Sequence, residues 1–178
     1  MIFLFLIPVV NSCIPTQQVE TTTTTTTSTT TTTPIPCPTG WEEFERPSGT
    51  WCIKTFAIVG SWQDGQNGCA THGAVLSGVQ NQAELDFMCD SAVEGAFWVG
   101  GQRTAACPGP GLTATCTALT SFEWTDGSTT GTDGWIWRPI EPNNAASCPV
   151  INAWTYNLAD QVCTRSDFDG YVCGKSPM

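Results

Sequence analysis

Apolar and polar positions along the chain fall into three regimes. Met1 to Val10 is an unbroken apolar run, whereas Thr21 to Thr33 is threonine apart from Ser28 and carries no apolar side chain beyond the threonine methyls. From Cys37 onward, apolar residues recur at the short spacings of folded elements. Trp51 to Phe56 alternates well enough to predict a strand. Ser61 then stands as a helix cap with Asp64 as its reciprocal partner, and Trp62 and Cys69, seven apart, share one helical face. Gly65 and Gly68 weaken this helix, so it must lean on packing. A second helix is better marked, because Asn81 and Glu84 repeat the capping-box pattern and Leu85, Met88, Cys89 and Ala92 line one stripe. Ala96 to Val99 reads as a buried strand. Phe122 to Thr125 alternates up to the turn signal Asp126-Gly127, and Val150 to Trp154 and Gly170 to Cys173 are the last core strands. Between Ser128 and Ser147 little is regular, and a loop of that length in a compact domain is usually functional or disordered. Trp135 and Trp137 argue that it is packed down. The elements add up to an α+β domain with two helices and small, mostly antiparallel sheets.

The flanking regimes set the context of that domain. Residues 1–12 read as a signal peptide, with an apolar run far short of the roughly 20 residues that a membrane span needs and small residues near Cys13 for cleavage. Residues 13–36 have no face to bury, which predicts a disordered Thr/Pro-rich stalk with the composition of mucin-like O-glycosylation. The folded domain is placed at 37–175, with 176–178 as a tail. Ten cysteines in 178 residues indicate a disulfide framework and an oxidising, extracellular destination for a secreted chain. The formal net charge of −10 and pI near 4.2 exclude nucleic acid as partner and suit cations.

Cys37-Pro-Thr-Gly-Trp41, Trp62 seven residues before Cys69, Phe97-Trp-Val-Gly100, Phe122-Glu-Trp-Thr-Asp-Gly127, Trp135, Glu141-Pro-Asn143, and Cys148, Cys163 and Cys173 in that order resemble the C-type lectin domain. The match covers essentially the whole of 37–175. Arg46 to Cys52 and Gly170 to Lys175 are similar to secreted invertebrate members with Thr-rich stalks. The resemblance implies a disulfide-stapled double-loop fold with bridges Cys37–Cys52, Cys69–Cys173 and Cys148–Cys163. Outside that set, Cys107 and Cys116 flank a Pro-Gly-Pro-Gly stretch and are read as a local staple. Cys89 is open between a small buried hydrophobe and a bridge. Cys13 could join two chains into a dimer, pair with Cys89, or leave with the signal.

The resemblance also implies a site. Its sugar-binding members hold Ca²⁺ with the Glu and Asn of Glu-Pro-Asn, a Glu before the cysteine that matches Cys148, and an Asn-Asp pair; the same groups then bind vicinal hydroxyls of mannose-type sugars. Here Glu141, Asn143 and Asp160 are the expected calcium ligands, with Asn144 beside them in sugar binding and Pro142 expected cis. Two positions depart from the pattern. Only Ala145, Ala146 and Ser147 precede Cys148, and Leu158-Ala159-Asp160 leaves Ala159 where the family has Asn. Since Ca²⁺ takes about six to eight oxygens, three side chains form an incomplete set whose shell water or sugar must complete, with Asn144 and Asn157 as candidate substitutes.

The functional expectation is therefore a secreted, glycan- or glycoprotein-binding protein using Ca²⁺, with calcium-independent binding of a protein or other non-sugar surface as the alternative. Asp126 and Asp133 read as surface turn acids, with a second ion site as the other reading. An enzyme is disfavoured, because His72 has no nucleophile near it and Glu141 and Asp160 are better explained by metal or scaffold than as paired glycosidase carboxylates.

Overall fold

A computed structural model describes residues 35–92 and 94–178. The segments read as signal peptide and stalk lie outside these residues, except for Ile35 and Pro36 at the stalk's end. Nine strands and two helices are formed among the described residues. They are β1 (Glu42–Arg46), β2 (Gly49–Phe56), α1 (Trp62–Ala70), β3 (Val75–Leu76), α2 (Gln82–Ala92), β4 (Ala96–Trp98), β5 (Gly101–Arg103), β6 (Phe122–Trp124), β7 (Cys148–Asn152), β8 (Asn157–Gln161) and β9 (Gly170–Lys175). The main sheet runs β1-β2-β9-β4-β7-β8 with β3 attached to β9, and β5 pairs with β6 in a second sheet. All neighbours are antiparallel except β4 and β9.

The first helix starts as its sequence predicts. Ser61 Oγ accepts from the Asp64 amide at 3.2 Å while Asp64 Oδ2 accepts from the Ser61 amide at 2.9 Å. Its glycines have a packing reason: a Cβ at Gly68 would run into the Tyr171 ring and one at Gly65 would stand 3.1 Å from Tyr171 Cβ. Close approach to β9 offsets a helix penalty of about 1 kcal/mol for each glycine relative to alanine. The second helix departs from expectation at its cap. Asn81 Oδ1 accepts from the Glu84 amide at 3.0 Å, but the Glu84 side chain takes the Gln80 amide at 2.6 Å and Arg46 at 2.8 Å, so the box is only half formed. The Glu84 carboxylate is drawn away because Arg46 is buried beside it.

The core divides between the sheet's two faces. One cluster gathers Ile53, Leu85, Met88, Phe97, Val99, Ile151 and Leu158, and the other Trp62, Leu76, Trp98, Val150 and Tyr171. Four disulfides close on the expected partners: Cys37–Cys52, Cys69–Cys173, Cys107–Cys116 and Cys148–Cys163. By chain entropy the bridge with a separation of 104 residues supplies about 4.7 kcal/mol, and that spanning 15 residues at Cys148 about 3 kcal/mol. Cys89 is unbonded among the described residues and buried. Its thiol is pushed up to about 12, first by burial and then by Asp86 and Asp90, so it behaves as a small hydrophobe. A disulfide-linked dimer would therefore rest on Cys13, outside the described residues.

Candidate functional site

The irregular stretch from Ser128 to Ser147 is tied down along its length. Trp135 stacks on Trp124 with ring centroids 3.5 Å apart, and Trp137 stacks on Trp135 at 5.4 Å with planes within 3°. The Trp137 indole N–H donates to the Ala118 carbonyl at 2.9 Å. Farther on, the Arg138 amide donates to the Leu158 carbonyl and the Leu158 amide to the Ile136 carbonyl. The loop thus covers the outer edge of β8, whose unpaired groups would otherwise face water. These tryptophans are packing residues rather than a platform open to a ligand.

This docking brings Glu141 and Asp160 together. Asp160 lies on β8 two residues from the core residue Leu158, so strand alternation turns both to the same face, and Asp160 is 2% exposed. The Glu141–Pro142 peptide is cis, as expected. The Asn143 amide donates to Glu141 Oε2 at 2.8 Å and to Asp160 Oδ1 at 3.0 Å, so one N–H bridges the two carboxyl groups. That shared N–H makes the Glu141 and Asp160 carboxyl groups close neighbours. Burial, followed by the neighbouring Glu141, pushes the Asp160 carboxyl up to about 6, against the opposing pull of the Ala146 and Asn143 amides. Burial works in the same sense on Glu141, yet Asp160, the Asn143 amide and Arg138 together hold it below its ordinary value. As the pair titrates, the shared proton therefore resides on Asp160.

Two guanidinium groups complete the cluster. Arg138 donates to Glu141 Oε1 at 3.0 Å, and Arg103, from β5, approaches Asp160 Oδ2 at 3.3 Å. Arg103 also donates through Nε to the Ala146 carbonyl at 2.8 Å and through Nη1 to the Cys107 carbonyl at 3.4 Å, and it lies over the Phe122 ring at 4.8 Å. The remaining oxygens are in use as well. Asp160 Oδ2 accepts the Ala146 amide at 3.0 Å, and Asn143 Oδ1 accepts the Ala145 amide at 2.8 Å.

This donor-lined arrangement does not fit a calcium ion as it stands. Every side-chain oxygen of Glu141, Asp160 and Asn143 already accepts from an N–H of the chain itself. Both carboxylates are withdrawn from solvent, with side chains 3% and 0% exposed, and each is already paired with a guanidinium group. Asn144 is not part of the cluster: its amide donates to Gly111 and Ser121, while Asn157 is engaged with Thr155 in its own turn. Among the described residues, no group of three or more His, Cys, Asp or Glu side chains is placed to hold a metal.

Asp126 corrects the reading of a surface turn acid. It is 8% exposed and accepts from Arg46 at 2.9 Å, from the Gly78 amide and from Thr129, whereas Asp133 is exposed. His72 is exposed and stacks on Phe56 at 4.8 Å. Neither Arg46 nor Arg103 stood out in the sequence. The available signal was scarcity: the chain has only six basic residues, and Arg46 falls in register with Glu42 and Phe44 on a two-residue period.

Two helices, a small sheet, a long covered loop and four bridges define the C-type lectin fold. The Lectin C-type domain matches residues 59–175, and the chain belongs to that family. It is similar to mouse killer cell lectin-like receptor subfamily B member 1B allele A, 34% identical over 68 residues that cover 37% of this chain and 29% of the receptor. It is also similar to one of the subunits of the snaclec coagulation factor IX-binding protein of Protobothrops flavoviridis, 27% identical over 108 residues, covering 56% of this chain and 73% of the snaclec. The alignment thus spans less than a third of that receptor's length. Among solved structures, a calcium-independent type II antifreeze protein superposes with a TM-score of 0.59 at 24% identity, covering 80% of this chain and 96% of the other. The carbohydrate-recognition domain of cow CD23, determined with a GlcNAc2Man3 oligosaccharide, gives 0.63 at 22%, covering 81% and 98%. At such identities these likenesses show the fold alone. No helix among the described residues is long and apolar enough to cross a membrane.

Proposed function

We propose that this chain is a secreted recognition protein whose C-type lectin domain binds a protein surface without calcium. The observation that supports this most is the burial of Glu141 and Asp160 beneath the domain's own guanidinium and amide donors, which leaves no oxygen of the pair open to an ion or to sugar hydroxyls. The printed names of its relatives, a killer cell receptor and a snaclec that binds coagulation factor IX, are consistent with protein recognition. Ile140 adds to the reading. It is 91% exposed at φ 70°, a left-handed conformation that a β-branched side chain avoids, and it stands next to Glu141. Binding accounts for an apolar side chain held in water at such a position; packing does not. The Thr-rich segment would hold the domain away from whatever carries its N-terminus, in an invertebrate-type secreted arrangement.

Calorimetric titration of the full chain tests this. Calcium at millimolar concentration is expected to produce no binding heat, and a glycan array no calcium-dependent mannose signal. Saturable heat together with a mannose signal abolished by EDTA would return the function to metal-dependent sugar recognition.

A further inference from the structure

We infer that Arg103 is a built-in cation, which takes the electrostatic place of a divalent ion beside Asp160 and keeps the 141–147 loop closed without metal. This rests on the calcium-independent reading above and goes further, because it assigns the replacement to one side chain. Arg103 belongs to the two-stranded sheet, not to the loop, yet its guanidinium joins three separate segments. It reaches the Ala146 carbonyl in the loop, Asp160 on β8 and the Cys107 carbonyl at the root of the stapled loop. Bridging carboxylate and carbonyl oxygens from different segments is what a coordinated ion does. The planar fork suits the task, since its fixed donors can serve several acceptors at once. The side chain is 5% exposed and lies against Phe122, which fixes the fork in place. Arg138, by contrast, is 41% exposed and can swing into solvent, so it neutralises Glu141 without locking the loop.

Removing the Arg103 charge has a specific consequence. Asp160 and the Ala146 carbonyl would lose their shared cation, and because the Asn143 and Ala146 amides that also serve Asp160 are carried by the same loop, its opening would leave Asp160, Glu141 and that carbonyl as hard oxygens, with Arg138 still paired to Glu141. That is the chemistry a calcium ion takes up, with water completing its shell. Metal dependence is therefore latent in the loop and held off by the closure that Arg103 maintains.

The test compares the full chain with Arg103→Met and Arg103→Lys by thermal unfolding in EDTA and in about 1 mM calcium, within the range that extracellular modules use. The native chain is expected to melt at the same temperature in both. Arg103→Met should melt several degrees lower in EDTA and recover part of the loss in calcium, a response abolished by adding Asp160→Asn. Arg103→Lys, which keeps a point charge, should remain indifferent to calcium. A native chain that gains stability with calcium overturns the calcium-independent reading, and this inference with it. A silent native chain with an equally silent Arg103→Met overturns the inference alone. Should Arg103→Met fail to fold in either condition, the double variant Arg103→Met/Asp160→Asn decides: recovery of folding supports charge compensation, and failure to recover overturns it.

Discussion

Arg46 and Arg103 each sit buried beside carboxylates, but in opposite arrangements. At Arg46 the cation lies between its acids. Nε meets Glu84 at 2.8 Å, Nη1 meets Asp126 at 2.9 Å, Nη2 serves Ser77 and the Gly78 carbonyl, and the Trp51 ring covers the group at 4.5 Å. At Arg103 the acids share the Asn143 amide and the cations flank them. A cation between two acids welds β1, α2 and the turn after β6 into one unit. Neighbouring acids, with cations outside, make a centre that responds to protons. The 141–147 loop is tied down by the second arrangement, and β1, α2 and the turn after β6 by the first.

The sharpest way to break the comparison is to remove each cation in turn. Arg46→Met strands Glu84 and Asp126 in the interior, and breaking a buried pair from one side costs about 3–5 kcal/mol. Arg103→Met in EDTA is expected to cost less, about 1.5–3 kcal/mol for its charged hydrogen bonds, because a proton on Asp160 can relieve the remaining repulsion. Urea unfolding of both variants at neutral pH checks the order. Equal losses would mean that the two clusters play the same structural part.

A pH series sharpens the contrast. Asp160 is raised in the folded chain from 3.8 to about 6, so its contribution is fully present below pH 3.8 and is lost as pH rises through about 6. Glu141 is lowered and acts in the opposite sense, contributing above its ordinary value of 4.5 and losing that as pH falls. Between about pH 4.5 and 6 the pair holds its single proton, and across that window stability should decline, levelling off above about pH 6. Asp160→Asn is expected to flatten that decline in urea midpoints taken at pH 5, 6 and 7. A decline that survives in Asp160→Asn would assign it elsewhere, with Glu84 the first candidate, since burial raises that carboxyl as well.

How much of this was legible depended on the range of each signal. The Ser61–Asp64 cap, the inward stripe of α2 and the staple at Cys107 and Cys116 are local, written within about one or two helical turns, and the sequence reveals them directly. The three longer bridges and the cis Pro142 followed from resemblance. Strands β1, β5 and β8 did not register, since each carries polar residues whose burial is decided by partners far along the chain. Arg46 finds Glu84 38 residues away and Asp126 80 away, and Arg103 finds Asp160 57 away. The expected ligand trio was legible as a list of oxygens. Its occupation by Arg103, Arg138 and the amides of Asn143, Ala145 and Ala146 was not, because sequence names acceptors without showing which donors reach them.

The smallest expected effect concerns Ile140, which contacts neither guanidinium cluster in any hydrogen bond yet sits between Arg138 and Glu141. Holding a non-glycine residue in the left-handed region costs on the order of 1–3 kcal/mol, at the upper end for a β-branched side chain. With the residue 91% exposed, little burial is lost by deleting its side chain. Ile140→Gly should therefore stabilise the chain by about 1 kcal/mol, part of the relief being offset by the greater freedom of glycine in the unfolded state. The same substitution should weaken attachment to a protein partner if the loop's apolar tip makes contact there. Urea midpoints and partner binding measured on one preparation separate the two effects. A variant that loses stability would show that Ile140 serves the fold, and the loop's claim to be a recognition surface would then have to rest on other residues.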